Sequence, residues 1–270
     1  MRSAPPRFAP VPPERLARLA TLAKTGPSGP VERLPLGAAA IDTALGGGLE
    51  AHALHLLLPD TPHAHAATAF LAAHLAARRL ASTGGEVLWA TPLRDLFAPG
   101  LARAGLAPGR LVVACADGDH ATLAAMEEAM GAAAVVVGEI GRAGPWLMTA
   151  SRRLQLRCEA RGTLALLLVR TPGPALPTAA RTAWQVAPAP SALPATRPLF
   201  AGVGGAGLGP ARLALTLARA RGAAAAALPR TWLVDVSGAS DAPSRLAVAA
   251  ELAGGAAAAR PPQRAGRAAA

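Results

Sequence analysis

Cysteine and lysine are both scarce, and each scarcity excludes something. The 270-residue chain has two cysteines, Cys115 and Cys158. No CxxC or other zinc-binding spacing occurs, and two thiols do not build a disulfide framework. Both lie in segments that read as buried strand and helix, so free thiols in a reducing cytoplasm are expected. No run of about 18 strongly apolar residues occurs, so no membrane span is expected. The first residues, MRSAPPRFAPVPPERL, lack an apolar h-region, so no signal peptide is expected. No GxSxG nucleophile elbow appears, and Ser151 and Ser237 lack local partners. Glu127 and Glu128 are neighbours on a predicted helix and point to different faces, which leaves paired-carboxylate catalysis unsupported. Of the 27 basic residues only Lys24 is a lysine. Acidic residues thin out along the chain. Residues 1–140 hold 12 acidic and 11 basic residues, whereas residues 141–270 hold 4 and 16. A one-sided basic half suits a polyanion or an acidic protein partner. An Arg-, Ala-, Gly- and Pro-rich composition also arises from a GC-rich genome with no selection for binding.

What is present centres on Gly37 to Phe70, GAAAIDTALGGGLEAHALHLLLPDTPHAHAATAF. A short helix is predicted over Ala39–Leu45, a turn at Gly46–Gly48, an apolar strand over Leu54–Leu58, a loop, and a long alanine-rich helix. Strand, loop and helix in that order are the layout of a phosphate-binding P-loop. The loop, Leu58-Pro59-Asp60-Thr61-Pro62-His63-Ala64-His65, has no glycine and no lysine. A working P-loop needs glycines to wrap backbone N–H groups round the phosphates, a lysine for the β/γ-phosphates and a hydroxyl for Mg²⁺. The frame is present without its chemistry, so no cofactor is expected.

Three regions follow from composition. Residues 1–30 form an arm: a proline-rich segment, an amphipathic helix over Glu14–Lys24 with Leu16 and Leu19 on its apolar stripe, and a Gly/Pro linker. Leu16 and Leu19 are candidates for contact with a partner. Residues 31–253 form the core, and residues 254–270 read as a basic disordered tail. In the core, strands are predicted at Leu54–Leu58, Glu86–Ala90, Leu111–Ala114, Ala133–Val137 and Thr163–Val169. Helices are predicted at Ala64–Ala81, Leu96–Ala104, His120–Met130 (capped by Asp119) and Thr149–Ala160. This alternation predicts a mostly parallel α/β sheet. Alternating stretches at Arg181–Ala187, Arg212–Ala218 and Thr231–Val236 then predict antiparallel strands extending it. A Pro/Gly-rich loop is predicted over 188–210.

Other motifs carry less. Gly202-Val203-Gly204-Gly205-Ala206-Gly207 matches GxGxxG as text but lacks the strand before and the helix after that the fingerprint needs. His52, His55, His63 and His65 cluster in sequence, but no further Cys, Asp or Glu completes an obvious zinc set, although Asp60 is near. Arg152, Arg153, Arg157 and Arg161 crowd one predicted helix, and the last three share a face by their spacing of four. Leu154 and Leu156 are expected to face elsewhere. With Arg142 and Arg170 at strand ends, these arginines make the candidate surface for DNA or an acidic partner; a solvated helix face is the alternative.

The segment Gly37–Leu49 resembles the stretch of RecA recombinases that leads into their P-loop, and the order of elements from 31 to 170 fits a RecA-like core. More specifically, the chain resembles the ImuA family, RecA-like bacterial proteins of the DNA-damage-induced mutagenesis cassette. The residues that carry this are Val87-Leu88-Trp89-Ala90, Asp95–Leu101, Ala125–Ala129, Thr149–Leu156, Trp184–Ser191 and Trp232-Leu233-Val234. The resemblance implies a non-enzymatic accessory protein of translesion DNA synthesis in the SOS response. Its implied partners are an ImuB-like Y-family polymerase homologue and an error-prone C-family DNA polymerase, with DNA, RecA and a second copy of the chain as further candidates. It also implies that the recombinase P-loop glycines fall on Leu58 and His63, the lysine on Ala64 and the Mg²⁺-binding hydroxyl on His65. The catalytic glutamate falls near Thr91 or Pro92, and the Walker-B-like strand ends in Val137-Gly138-Glu139. Two alternatives remain at this point: a weak RecA-class ATPase with an unusual loop, and a regulator related to cell-division inhibitors.

Overall fold

The computed structural model describes residues 31–172, 177–191, 210–221, 228–237 and 245–252. The arm at 1–30, the tail at 254–270 and most of the 188–210 loop lie outside the described residues, and so do Leu16, Leu19 and the GxGxxG text match.

In chain order the elements are β1 (Arg33–Leu34), α1 (Ala39–Ala44), β2 (Leu49–Glu50), β3 (Leu54–Pro59), α2 (His65–Thr83), β4 (Val87–Thr91), α3 (Ala98–Arg103), β5 (Leu111–Cys115), α4 (Gly118–Ala129), β6 (Val135–Ile140), α5 (Leu147–Arg161), β7 (Leu164–Val169), β8 (Thr182–Ala189), β9 (Ala211–Ala220), β10 (Arg230–Ser237) and β11 (Arg245–Leu252). β1 and β2 make a small antiparallel pair. The other nine strands form one sheet in the order β11-β10-β9-β8-β3-β7-β6-β4-β5.

The central strands are apolar at almost every position and are buried at every position in β3, β6 and β7. A strand covered on both faces requires this. One face packs under α1, α2 and α3 through Ile41, Leu71, Leu75, Leu101, Trp89 and Trp184. The other packs under α4 and α5 through Met126, Leu154, Cys158, Leu56 and Leu167. Gly138 of β6 makes the second layer fit, because a Cβ there would lie 2.2 Å from Met126 Sδ. The GAAAIDTALGGG segment is tied up by Asp42. Its carboxylate accepts the Leu36 and Gly37 N–H groups at 2.6 and 3.1 Å, and its carbonyl accepts Gly47 N–H at 2.7 Å.

The structure corrects several expectations. β8 is antiparallel to β9 as expected but runs parallel to its other neighbour, β3, where Arg181 N–H bonds Leu54 O at 2.8 Å. β9 and β10 are antiparallel as expected, and β11, whose alanine-rich sequence gives little strand signal, adds a further antiparallel strand. Asp119 does not cap α4; Asp117 holds that position without a side-chain cap, and Asp119 accepts Gly141 N–H at 2.8 Å instead. Cys158 is buried, but Cys115 is exposed because β5 is an edge strand.

Candidate functional site

The loop from β3 to α2 sits at the C-terminal ends of the parallel strands, where open α/β sheets bind ligands. Two of its backbone N–H groups are spent internally. Asp60 N–H donates to Val186 O at 3.0 Å, and Ala64 N–H donates to Thr61 O at 2.9 Å, closing a 3₁₀ turn over Pro62–Ala64. Positive φ occurs only at glycines among the described residues, and none lies between Gly48 and Gly84. An anion nest needs successive N–H groups turned inward by alternating αR and αL residues. This loop has no αL residue. Asp60 and His63 face solvent, and Ala64 is buried.

Below the loop lies Glu139, fully buried near the end of β6. Its carboxylate accepts from Trp89 Nε1 at 2.7 Å and from Thr91 Oγ1 at 3.4 Å. Arg170 Nη1, from the residue after β7, also donates to it. His65 Nε2, from the first residue of α2, stands 3.3 Å away. Arg170 in turn grips Asp95 through both terminal nitrogens, one at 3.3 Å. Burial opposes the charge on Glu139, but His65, Trp89 and Arg170 outweigh it, and the carboxyl is held below its ordinary range. Burial likewise opposes the Arg170 charge, and Asp95 and Glu139 outweigh it, so its pKa is raised. The result is an ionised Glu139–Arg170–Asp95 chain whose charges are spent on each other. His65 Nδ1 is buried without a hydrogen-bond partner.

Beside this cluster α2 and α3 frame a cavity of about 260 Å³. Phe70, Ala69, Leu96 and Leu101 line it, with His65 and Asp95 at one end. Phe97 stands at its rim, 70% exposed.

The sequence-singled arginines part company. Arg142 is exposed. Arg152, Arg153, Arg157 and Arg161 are exposed along α5, but Arg153 bonds Glu127 Oε2 at 2.6 Å and Arg157 bonds Glu127 O at 3.0 Å. Arg170 does not join them, since its guanidinium is turned inward onto Glu139 and Asp95. Leu154 is buried, but Leu156 is 60% exposed and lies on the arginine side of the helix. The histidines also separate. His55 is buried, between Thr182 Oγ1 at 2.8 Å and Glu50 O at 2.9 Å. His52 meets Glu32 and Arg79. His65 belongs to the Glu139 cluster.

Sequence reading missed how Trp89, Asp95 and Arg170 act. Trp89 was marked only as part of the resemblance, and nothing local shows its indole N–H reaching across to β6. Asp95 and Arg170 are 75 residues apart, and only the strand order brings them together.

No family model matches the chain. It is 37% identical over 148 residues to Protein ImuA of Caulobacter vibrioides strain NA1000 / CB15N, and equally to that of strain ATCC 19089 / CIP 103742 / CB 15. The match covers 52% of this chain and 57% of each relative, so the chain spans somewhat over half the length of the curated relatives it matches. Among solved structures, the RadB recombinase superposes with a TM-score of 0.51 at 15% identity, covering 78% of this chain and 98% of that one. The fold is RecA-like, and the sequence likeness to ImuA proteins over about half the chain is consistent with membership of the ImuA family.

Proposed function

We propose that this chain is a non-catalytic RecA-fold accessory protein of an error-prone translesion synthesis complex, an adaptor for a Y-family-polymerase-like partner. The likeness to ImuA proteins supports the mutagenesis setting. The observation that carries the non-catalytic part is the engagement of Glu139. The carboxylate at the Walker-B-like position is already held by Trp89, His65 and Arg170. Residues at this site do not fit Mg²⁺-ATP. The loop offers no lysine, no glycine and no αL nest, and a guanidinium already neutralises the acidic group that would face the metal. A nucleotide therefore gains little from this frame, and the fold's value lies in its surfaces.

Thermal melting with and without millimolar Mg²⁺-ATP tests this. A ligand present at 100 times its dissociation constant adds about 2.7 kcal/mol of stability. We expect an unchanged midpoint. A clear nucleotide-dependent rise overturns the non-catalytic reading in favour of a RecA-class ATPase. Direct titration with the purified polymerase-like partner tests the adaptor role, for which binding without nucleotide is the expected result.

A further inference from the structure

β5 ends the nine-stranded sheet, and it is built unlike a protected edge. Its sequence is Leu111-Val112-Val113-Ala114-Cys115, with no charge and no proline. Proteins blunt solvent-facing edges with such residues. The opposite edge, β11, carries Arg245 and Glu251. On β5, Val112 is 49% and Val113 45% exposed. Successive residues point to opposite faces, so each face of the strand keeps an exposed valine among the described residues, while Leu111 and Ala114 pack against the two core layers.

The parity of the open groups follows from the ladder. β5 pairs with β4 in parallel with Thr91 opposite Cys115, and Ala116 N–H donates to Thr91 O at 3.0 Å. In a parallel ladder, alternate residues turn both backbone groups to the same neighbour. Ala116, Ala114 and Val112 therefore face β4, and Leu111, Val113 and Cys115 face outward. Among the described residues no strand lies against them.

We propose that β5 is a self-association edge, and that its occupant is β5 of a second copy, antiparallel about a two-fold axis at Val113. The self-complementarity is specific to this centre. Pairing about Val113 sets Val113 against Val113 and Leu111 against Cys115, so every outward residue meets an outward residue. Each such pair exchanges N–H···O=C bonds in both directions. An axis between two residues would set outward groups against inward ones. An axis on Val112 or Ala114 would keep the parity but leave Cys115 or Leu111 without an outward partner inside the strand, so Val113 is the centre that pairs all three. Arg110, exposed just before the strand, and Asp117, exposed just after it, give the two ends opposite charge. Antiparallel pairing brings the Arg110 end of each copy to the Asp117 end of the other, whereas parallel pairing puts like charges together. Val112 meets Ala114 of the second copy on the α4 side, and Val113 meets its own copy on the α2 side. Both exposed valines are covered.

The test uses the full chain. Light scattering at micromolar and higher concentration is expected to give twice the 27.0 kDa chain mass. Val113→Lys places two ammonium groups on the axis and returns a monomer with an unchanged melting midpoint. Register is read by crosslinking in a Cys115→Ser background. A hydrogen-bonded antiparallel pair has Cα atoms about 5.5 Å apart, within the range of about 4.4–6.8 Å that a disulfide spans. Val113→Cys is therefore expected to oxidise to a covalent dimer and Val112→Cys to resist. A wild-type monomer at all concentrations overturns the proposal, as does equal crosslinking at the two positions. A dimer that survives Val113→Lys overturns it as well.

Discussion

Arg170 places its guanidinium between Glu139 and Asp95, so one cation serves a fully buried carboxylate and a half-exposed one. In this fold the ends of β6 and β7 face the loop that leads into α2, and His65 from that loop's end stands 3.3 Å from Glu139. The residues here spend their charge on each other. This is a stable answer to a specific problem: a carboxylate on a central strand, with water excluded, requires a fixed countercharge and hydrogen-bond donors.

That dependence is measurable. Arg170→Ala leaves Glu139 buried with only Trp89, Thr91 and His65, and removing one partner of a buried pair costs about 3–5 kcal/mol. Arg170→Met combined with Glu139→Gln removes both charges and is expected to recover most of the loss. Urea unfolding of the two single variants and the double variant checks this; additive losses would mean that the pair is not coupled.

Acid acts elsewhere first. Burial pushes His55 and His74 down to about 4, against the pull of the Glu50 and Leu36 carbonyls. Both fold neutral, while the unfolded chain protonates near 6.5. The unfolded state then binds more protons between about pH 6.5 and 4, so stability is full above that window and falls as pH drops through it. Glu139, with its carboxyl held low, contributes stability that is present above its unfolded value and lost only at more acid pH. The urea midpoint is expected to fall between pH 7 and 5. His74→Gln, which retains a donor for Leu36 O, is expected to flatten that slope.

Much of the frame was legible because it rests on local patterns. Continuous apolar runs gave β3, β6 and β7, and strand-loop-helix order gave the position of the site. The Gly46–Gly48 turn was legible because only glycine takes its backbone. What stayed hidden depends on strand order. β8 alternates like a half-buried antiparallel strand, yet it lies parallel to β3 and antiparallel to β9, and alternation reports only which face is covered. Arg170 was grouped with the α5 arginines because a residue just past a strand resembles a surface residue. Nothing in TLALLLVR reveals a carboxylate on the adjacent strand. Leu156 was expected to leave the arginine face, but Leu154 is the buried one.

The glycine turn offers a graded test. Gly46 has φ +69° with nothing near a Cβ, whereas Gly48 has φ +125° and a Cβ there would lie 2.2 Å from Leu34 O. Gly46→Ala carries only the left-handed backbone cost of about 1–2 kcal/mol. Gly48→Ala adds a collision with the β1 backbone, so β1 must leave β2. We expect the second substitution to cost clearly more in urea unfolding. Equal costs would mean that the β1–β2 pair contributes little.

The α5 arginines give the last prediction, in salt dependence. Glu127 holds Arg153 and Arg157, but their side chains remain 65% and 51% exposed, so both keep donors for an anion. Arg152 stands beside them. If this face meets DNA, each phosphate contact contributes about −0.7 to the slope of log affinity against log salt for single strands. The triple variant Arg152→Gln, Arg153→Gln, Arg157→Gln is then expected to weaken binding to a single-stranded oligonucleotide and to lower that slope by about 2. Leu156→Ser separates the alternatives, because a phosphate backbone has no use for an exposed leucine and an acidic amphipathic protein segment does. A lowered salt slope with Leu156→Ser neutral assigns the face to nucleic acid. Loss of partner affinity with Leu156→Ser, and no oligonucleotide binding by the parent chain, assigns it to protein. An unchanged affinity for both ligands in all variants returns α5 to an ordinary solvated helix, with Glu127 holding Arg153 and Arg157 for the packing of α4 on α5.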